Sequence, residues 1–233
     1  MTTTVRQYSI VAMLLVSSYM LVDGLYKMFH FADEVSQGVI YRIMFFHIPA
    51  AISSMSGFYV GAALAVMYLW KRDLKYDAIS AVVNEVCLAF ALITLFTGMI
   101  WARIAWGVWW AVGDPRLTSY LICILIYAGY LMLRRSVQDP QQRASISAVL
   151  AIFAALDIFI VWKSIEWWRG NHPGPVLSVR TGSDNLMPKE WSSVVYWNVL
   201  AIGLLIVSFI LIRLWQEKMQ SEIDSLRRFA HEQ

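Results

Sequence analysis

Six apolar blocks leave this chain few folds to choose from. They run from Tyr8 to Phe31, Ile43 to Trp70, Ile79 to Trp101, Leu117 to Leu133, Ile146 to Trp168 and Val194 to Trp215. Crossing a bilayer as helix takes about 20 residues, and these blocks meet or approach that length. They are apolar all round rather than striped. Backbone left unpaired in hydrocarbon is too costly for most alternatives. The expected fold is therefore an all-α integral membrane protein, a bundle of six transmembrane helices. Charged residues make up 15% of the chain, against about 25% in a typical soluble domain. The first block has only Arg6 before it, lacks a small-x-small cleavage pattern and runs on through Asp23 and Lys27. It reads as a retained span rather than a secretory signal.

Residues 1–215 form one expected membrane domain without internal repeats. The remainder, 216–233, is expected to be a cytosolic tail. Met219, Ile223 and Leu226 are spaced there as on one face of an amphipathic helix. Of the 19 lysines and arginines, most fall in segments that share a side with the N-terminus, among them Lys71, Arg72, Arg134 and Arg135. That bias predicts a cytoplasmic N-terminus and C-terminus. The net charge of +3 is spread over those loops and makes no stripe that nucleic acid could follow. Cys87 and Cys123 lie inside apolar spans with no CxxC neighbour, so they read as small packed hydrophobes.

The outer side collects the unusual residues. Of the eleven tryptophans, only Trp70 and Trp215 mark the inner face, an imbalance that an interfacial aromatic belt does not require. The stretch WGVWWAVGDPRLTS, residues 106–119, is the densest. If residues 103–112 are helical, Trp106, Trp109 and Trp110 share one face and form a platform in the interface. Such a platform suits a planar ligand or a partner surface. His47 opens the second span and His172 lies in the third outer loop, which puts both on the platform's side. Neutral imidazole is a good iron ligand, and two can fill both axial positions of a haem. His30, near the outer end of its own span, is a weaker competitor. A structural zinc site would want four ligands, commonly with nearby cysteines, and both cysteines are far from this face.

The polar end of the stretch fits the same ligand. Haem propionates need charge-assisted partners; Arg103 and Arg116 flank the tryptophans, and Arg42 lies nearby in the topology. Asp114 has two readings. It orients Arg116, or it caps the fourth span ahead of Pro115. The third outer loop, rich in Gly and Pro, is compatible with strand-like or irregular structure.

These residues resemble the tryptophan-rich WWD signature of haem-handling membrane proteins in cytochrome c maturation. Trp106, Gly107, Trp109, Trp110, Asp114, Arg116, Leu117, Thr118 and Ser119 match its pattern. FFHIPAA around His47 and EWWRGNH around His172 are similar to the family's two outer histidine motifs. Length, spans and tail resemble the C component, CcmC, over roughly residues 39–214. One departure stands out: Val112-Gly113 replaces the signature's third tryptophan and adds a residue. In a helix that would turn Asp114 by about 100°.

The resemblance implies a carrier rather than an enzyme. Haem b would sit at the outer leaflet of the cytoplasmic membrane, its iron between His47 and His172 and its ring against the WWD loop. The implied partners are a periplasmic haem chaperone, the ABC-type ATPase and permease subunits of a maturation complex, and a small accessory membrane subunit. Competing readings are a haem lyase or haem transporter of the same signature group, and a small-molecule membrane transporter. The last would rest on Asp23, Glu85 and Asp157, ionisable groups inside spans with no pairing pattern in the sequence beyond the nearness of Asp23 to Lys27.

Overall fold

The computed structural model describes residues 3–168, 170–173 and 187–231. Six helices account for nearly all of them: α1 (Thr3–His30), α2 (Met44–Lys71), α3 (Leu74–Ala105), α4 (Pro115–Ser136), α5 (Pro140–Trp167) and α6 (Lys189–His231). All six are long and apolar enough to cross a membrane. The fold is a six-helix, multi-pass membrane bundle. A short 3-10 turn, Val39–Ile43, leads into α2. Most of the third outer loop, residues 174–186, falls outside the described residues, and with it the expectation of strand-like or irregular structure there.

Helix starts follow local chemistry. Asp73, Asp114 and Asp139 each precede a helix and accept backbone N–H bonds from its first turn. Pro115 and Pro140 follow two of them at the first helical position, where a missing N–H costs nothing. A proline inside α2 has a different consequence. Pro49 cannot donate to the carbonyl four residues earlier, which belongs to Phe45. That oxygen instead accepts from Asn198 Nδ2 on α6 at 2.8 Å. The broken bond in one helix thus becomes a tie between two.

Helix α2 is central and packs against α3, α5 and α6, while α1 lies on α6 and α4 on α5. The main core joins α2 to α6 around Phe58 and Tyr127, whose rings stack at 3.7 Å. Toward the end of α2 remote from Met44, Ala65, Ala144, Ala148 and Ala151 are buried together. Small side chains let helix backbones approach closely, which matters where lipid removes the hydrophobic drive between helices.

Most charges inside the bundle are paired. Arg134 meets Asp77 through two parallel bonds of 2.6 and 2.9 Å. Lys27 contacts Asp23 at 2.6 Å. Glu85 meets Arg213 at 3.1 Å, a pairing for which the sequence shows no pattern. Its partner lies 128 residues away on α6, beyond any local spacing rule. Among the described residues Asp157 Oδ2 has no hydrogen-bond partner.

At the C-terminus α6 runs continuously through Trp215 to His231. Met219, Ile223 and Leu226 lie on this helical extension and are all exposed.

Candidate functional site

His47 sits in the first turns of α2, against α3. Its Nδ1 lies 3.0 Å from Thr97 Oγ1. The Thr97 hydroxyl donates its own proton to the Ile93 carbonyl at 2.8 Å, so its lone pair is what faces the imidazole. His47 therefore donates through Nδ1, and among the described residues its Nε2 has no hydrogen-bond partner. The close fit depends on Gly98, where a Cβ would stand 3.0 Å from His47 Cε1.

His172 arrives from the segment after α5. Its Nδ1 is 2.9 Å from the Pro173 carbonyl, which can only accept, so here too Nδ1 carries the proton, and among the described residues Nε2 has no hydrogen-bond partner. Burial, reinforced by the positive field of Arg116, pushes this imidazole down to about 4, against small opposing pulls from Pro173 and Asp114. It is neutral at ordinary pH, the form that ligates metal.

One helix face on α3 joins the two histidines. Thr97 pins His47, and Trp101, one turn on, has its ring 6.3 Å from the His172 ring. Trp101 also donates through Nε1 to Gln37 Oε1 at 2.8 Å and packs edge-on against Trp106 at 4.8 Å. Sequence reading placed Trp101 at the outer face but gave it no role. Thr97, Gly98 and Trp101 fall at i, i+1 and i+4, a pattern unremarkable among so many apolar neighbours.

The tryptophan-rich stretch is not the helix that its spacing suggested. Helix α3 ends at Ala105, and residues 106–114 form an irregular loop. Glycine explains the break. Gly107 and Gly113 both have positive φ, 76° and 88°, which side-chain-bearing residues rarely adopt. The carbonyl of Gly107 accepts from Arg103. The Asp114 N–H bonds the Ala111 carbonyl at 3.1 Å, closing a tight turn with Gly113 in its third position. The additional residue is absorbed in that turn, so no helical rotation of Asp114 arises. Trp106 and Trp110 are half-buried, whereas Trp109 is exposed; the three do not make a single helical face.

Asp114 is 4% exposed and fully engaged. Oδ1 accepts from the N–H groups of Arg116 and Leu117, both at 3.1 Å, capping α4. Oδ2 accepts from the N–H groups of Asn171 at 2.7 Å and His172 at 3.2 Å. The capping reading is therefore correct, but it describes only one oxygen. No ion pair joins Asp114 to Arg116 among the described residues.

The three candidate arginines differ. Arg42 is held by Asp33 at 2.8 Å and the Phe31 carbonyl at 3.0 Å, and Arg103 is held by Gly107. Arg116 is half-buried beside His172, and its guanidinium makes no hydrogen bond to another described residue. His30 is exposed, with Nδ1 on the Tyr26 carbonyl at 2.7 Å.

His47, His172 with Trp101 beside it, and Arg116 are thus gathered at the Trp-rich end of the bundle. A family model described as heme exporter protein C matches residues 2–229. The chain belongs to that family. Proteins named heme exporter protein C from Bradyrhizobium diazoefficiens and Paracoccus denitrificans are 32% and 29% identical to it. The alignments cover 89% and 88% of this chain, and 78% and 84% of those proteins. The Escherichia coli K12 protein of that name is 30% identical over 78% of this chain and 71% of its own length.

Proposed function

We propose that this protein binds haem at the outer face of the cytoplasmic membrane and delivers it to a periplasmic haem chaperone for cytochrome c maturation. The observation that carries this reading is the matched state of His47 and His172. Each has Nδ1 committed to an oxygen, on Thr97 or Pro173, and no hydrogen bond at Nε2 from another described residue. A structural histidine would normally use both nitrogens or turn one to water. Two prepared in the same way, one held by Thr97 and one beside Trp101 a turn further along α3, suit the two axial positions of an iron porphyrin.

The remaining residues have corresponding tasks. Trp106, Trp109, Trp110 and Gly107 belong to the loop that would lie against the porphyrin, and Arg116 supplies charge for a propionate. No nucleophile or acid–base pair is needed, so the protein acts as a carrier rather than an enzyme. Both termini are cytoplasmic in this reading, with the site periplasmic, as the distribution of lysine and arginine favours. Transfer involves the ABC-type ATPase and permease subunits of the maturation complex and a small accessory membrane subunit.

The test is spectroscopic. Detergent-purified protein should carry six-coordinate haem b. His47→Ala and His172→Ala should each lose haem or bind it five-coordinate, with imidazole partly restoring the spectrum. If both single variants keep the wild-type spectrum, the ligand assignment is wrong.

A further inference from the structure

The carboxylate of Asp114 joins two segments that are remote in sequence. Oδ1 caps α4 at the end of the tryptophan-rich loop, while Oδ2 accepts the N–H groups of Asn171 and His172 at 2.7 and 3.2 Å. With four backbone donors and 4% exposure, it has little capacity left for a ligand. Charge also disfavours contact with a propionate, since two carboxylates side by side repel.

A second observation comes from the opposite strand of this junction. A Cβ at Gly170 would stand 2.7 Å from Asp114 Oδ2 and 3.1 Å from Pro115 Cδ. The chain passes so close that only glycine fits without displacement. The backbone before His172 is therefore seated on Asp114, not merely near it. The imidazole adds one more local restraint through its bond to Pro173.

We propose that Asp114 is a positioning residue that acts through His172: it latches the second axial ligand to the tryptophan-rich loop and does not itself touch haem. The proposal rests on the reading that His172 ligates iron. Its consequence concerns handover. His172 is held at the site by hydrogen bonds to one carboxylate, so displacing the loop around Asp114 displaces that ligand too. His47, embedded between α2 and α3, stays in place. A partner that shifts the tryptophan-rich loop would then free one axial bond of the haem without unfolding a helix.

The test uses full-length protein in detergent, with two variants that break the latch differently. Asp114→Asn keeps an oxygen for the α4 cap, but its amide end cannot accept from Asn171 and His172. Gly170→Ala keeps the carboxylate and crowds it. In haem-free protein, hydrogen exchange of the Asn171 and His172 amides should accelerate about tenfold or more in both variants, as expected for lost charge-assisted bonds. In haem-loaded protein, replacement of one axial ligand by added imidazole should quicken to a similar degree. In a His172→Ala background supplied with imidazole, Asp114→Asn should add nothing to the spectrum or to haem retention.

Wild-type exchange in both variants would overturn the latch. So would a further loss of haem on adding Asp114→Asn to His172→Ala, which would make Asp114 a haem contact. A wild-type spectrum for His172→Ala alone would instead overturn the ligand reading, and the latch's role in ligation with it. The amide exchange result distinguishes those failures, because it requires no haem.

Discussion

Thr97 Oγ1 stands 3.0 Å from His47 Nδ1, and this contact decides which nitrogen of the histidine is left free. The hydroxyl is itself oriented by the Ile93 carbonyl at 2.8 Å. Removing it leaves the imidazole without its acceptor and allows the ring to rotate or change tautomer. Partners of this kind typically alter metal affinity 10- to 100-fold. Thr97→Val, nearly isosteric, should weaken haem binding by about that factor, while Thr97→Ser retains most of it. Haem titration of the two purified variants compares them directly; equal affinities would remove Thr97 from the site.

Gly98 offers a graded steric test of the same histidine. Its missing Cβ would lie 3.0 Å from His47 Cε1, closer than ordinary contact. Gly98→Ala should shift the ring by a few tenths of an ångström and change the haem spectrum slightly. Gly98→Val should displace the ring and abolish low-spin ligation, although both residues are compatible with a membrane helix. Near-normal low-spin haem in Gly98→Val would place His47 elsewhere.

Trp101 and Trp109 test which tryptophans support the fold and which are proposed to meet the ligand. Trp101 touches Trp106 and His172 and donates to Gln37, whereas Trp109 is exposed in a loop. Trp101→Ala should lower the stability of haem-free protein, since a single aromatic pair contributes about 0.5–1.5 kcal/mol beyond area burial. Trp109→Ala should change that stability by no more than about 0.5 kcal/mol and still reduce haem occupancy. Thermal unfolding and haem content, measured on both variants, check the contrast.

What could be read in the sequence follows from the range over which each interaction acts. The six spans are composition averaged over some 20 residues, and a helix occurs at each expected block, although α6 runs on to His231. Asp-Pro before α4 and α5 is equally local, as is the pairing of Asp23 with Lys27. The tryptophan spacing misled because periodicity counts positions and ignores backbone conformation. Gly107 and Gly113 at positive φ end the helix where Trp106, Trp109 and Trp110 would have shared a face. Neither the Glu85–Arg213 pair nor the Asp114–His172 contact has a spacing rule, because each joins residues brought together only by packing. His47 and His172 were legible as candidates because the chain has only four histidines and these two fall in recognisable motifs. Thr97, Gly98 and Trp101 were not, since their significance depends on which face of α3 meets α2.

Asp77 and Arg134 provide a test of the scaffold apart from the site. Their bidentate bonds of 2.6 and 2.9 Å link α3 to α4 at the end of the bundle opposite the histidines, and both side chains are largely buried. Truncating one partner leaves the other's charge uncompensated, which typically costs about 3–5 kcal/mol, whereas replacing both by apolar groups can be close to neutral. Asp77→Ala and Arg134→Ala should therefore each destabilise the protein strongly. Asp77→Leu combined with Arg134→Leu should recover much of the loss. Because the pair is far from His47 and His172 along the helices, haem bound to whatever protein remains folded should keep its wild-type spectrum. Unfolding in increasing denaturing detergent, followed by tryptophan fluorescence and haem absorbance together, measures both effects. Additive costs in the double variant would mean that the two charges do not act as a pair. An altered haem spectrum in either single variant would mean that this inner tie also sets the geometry of the outer site.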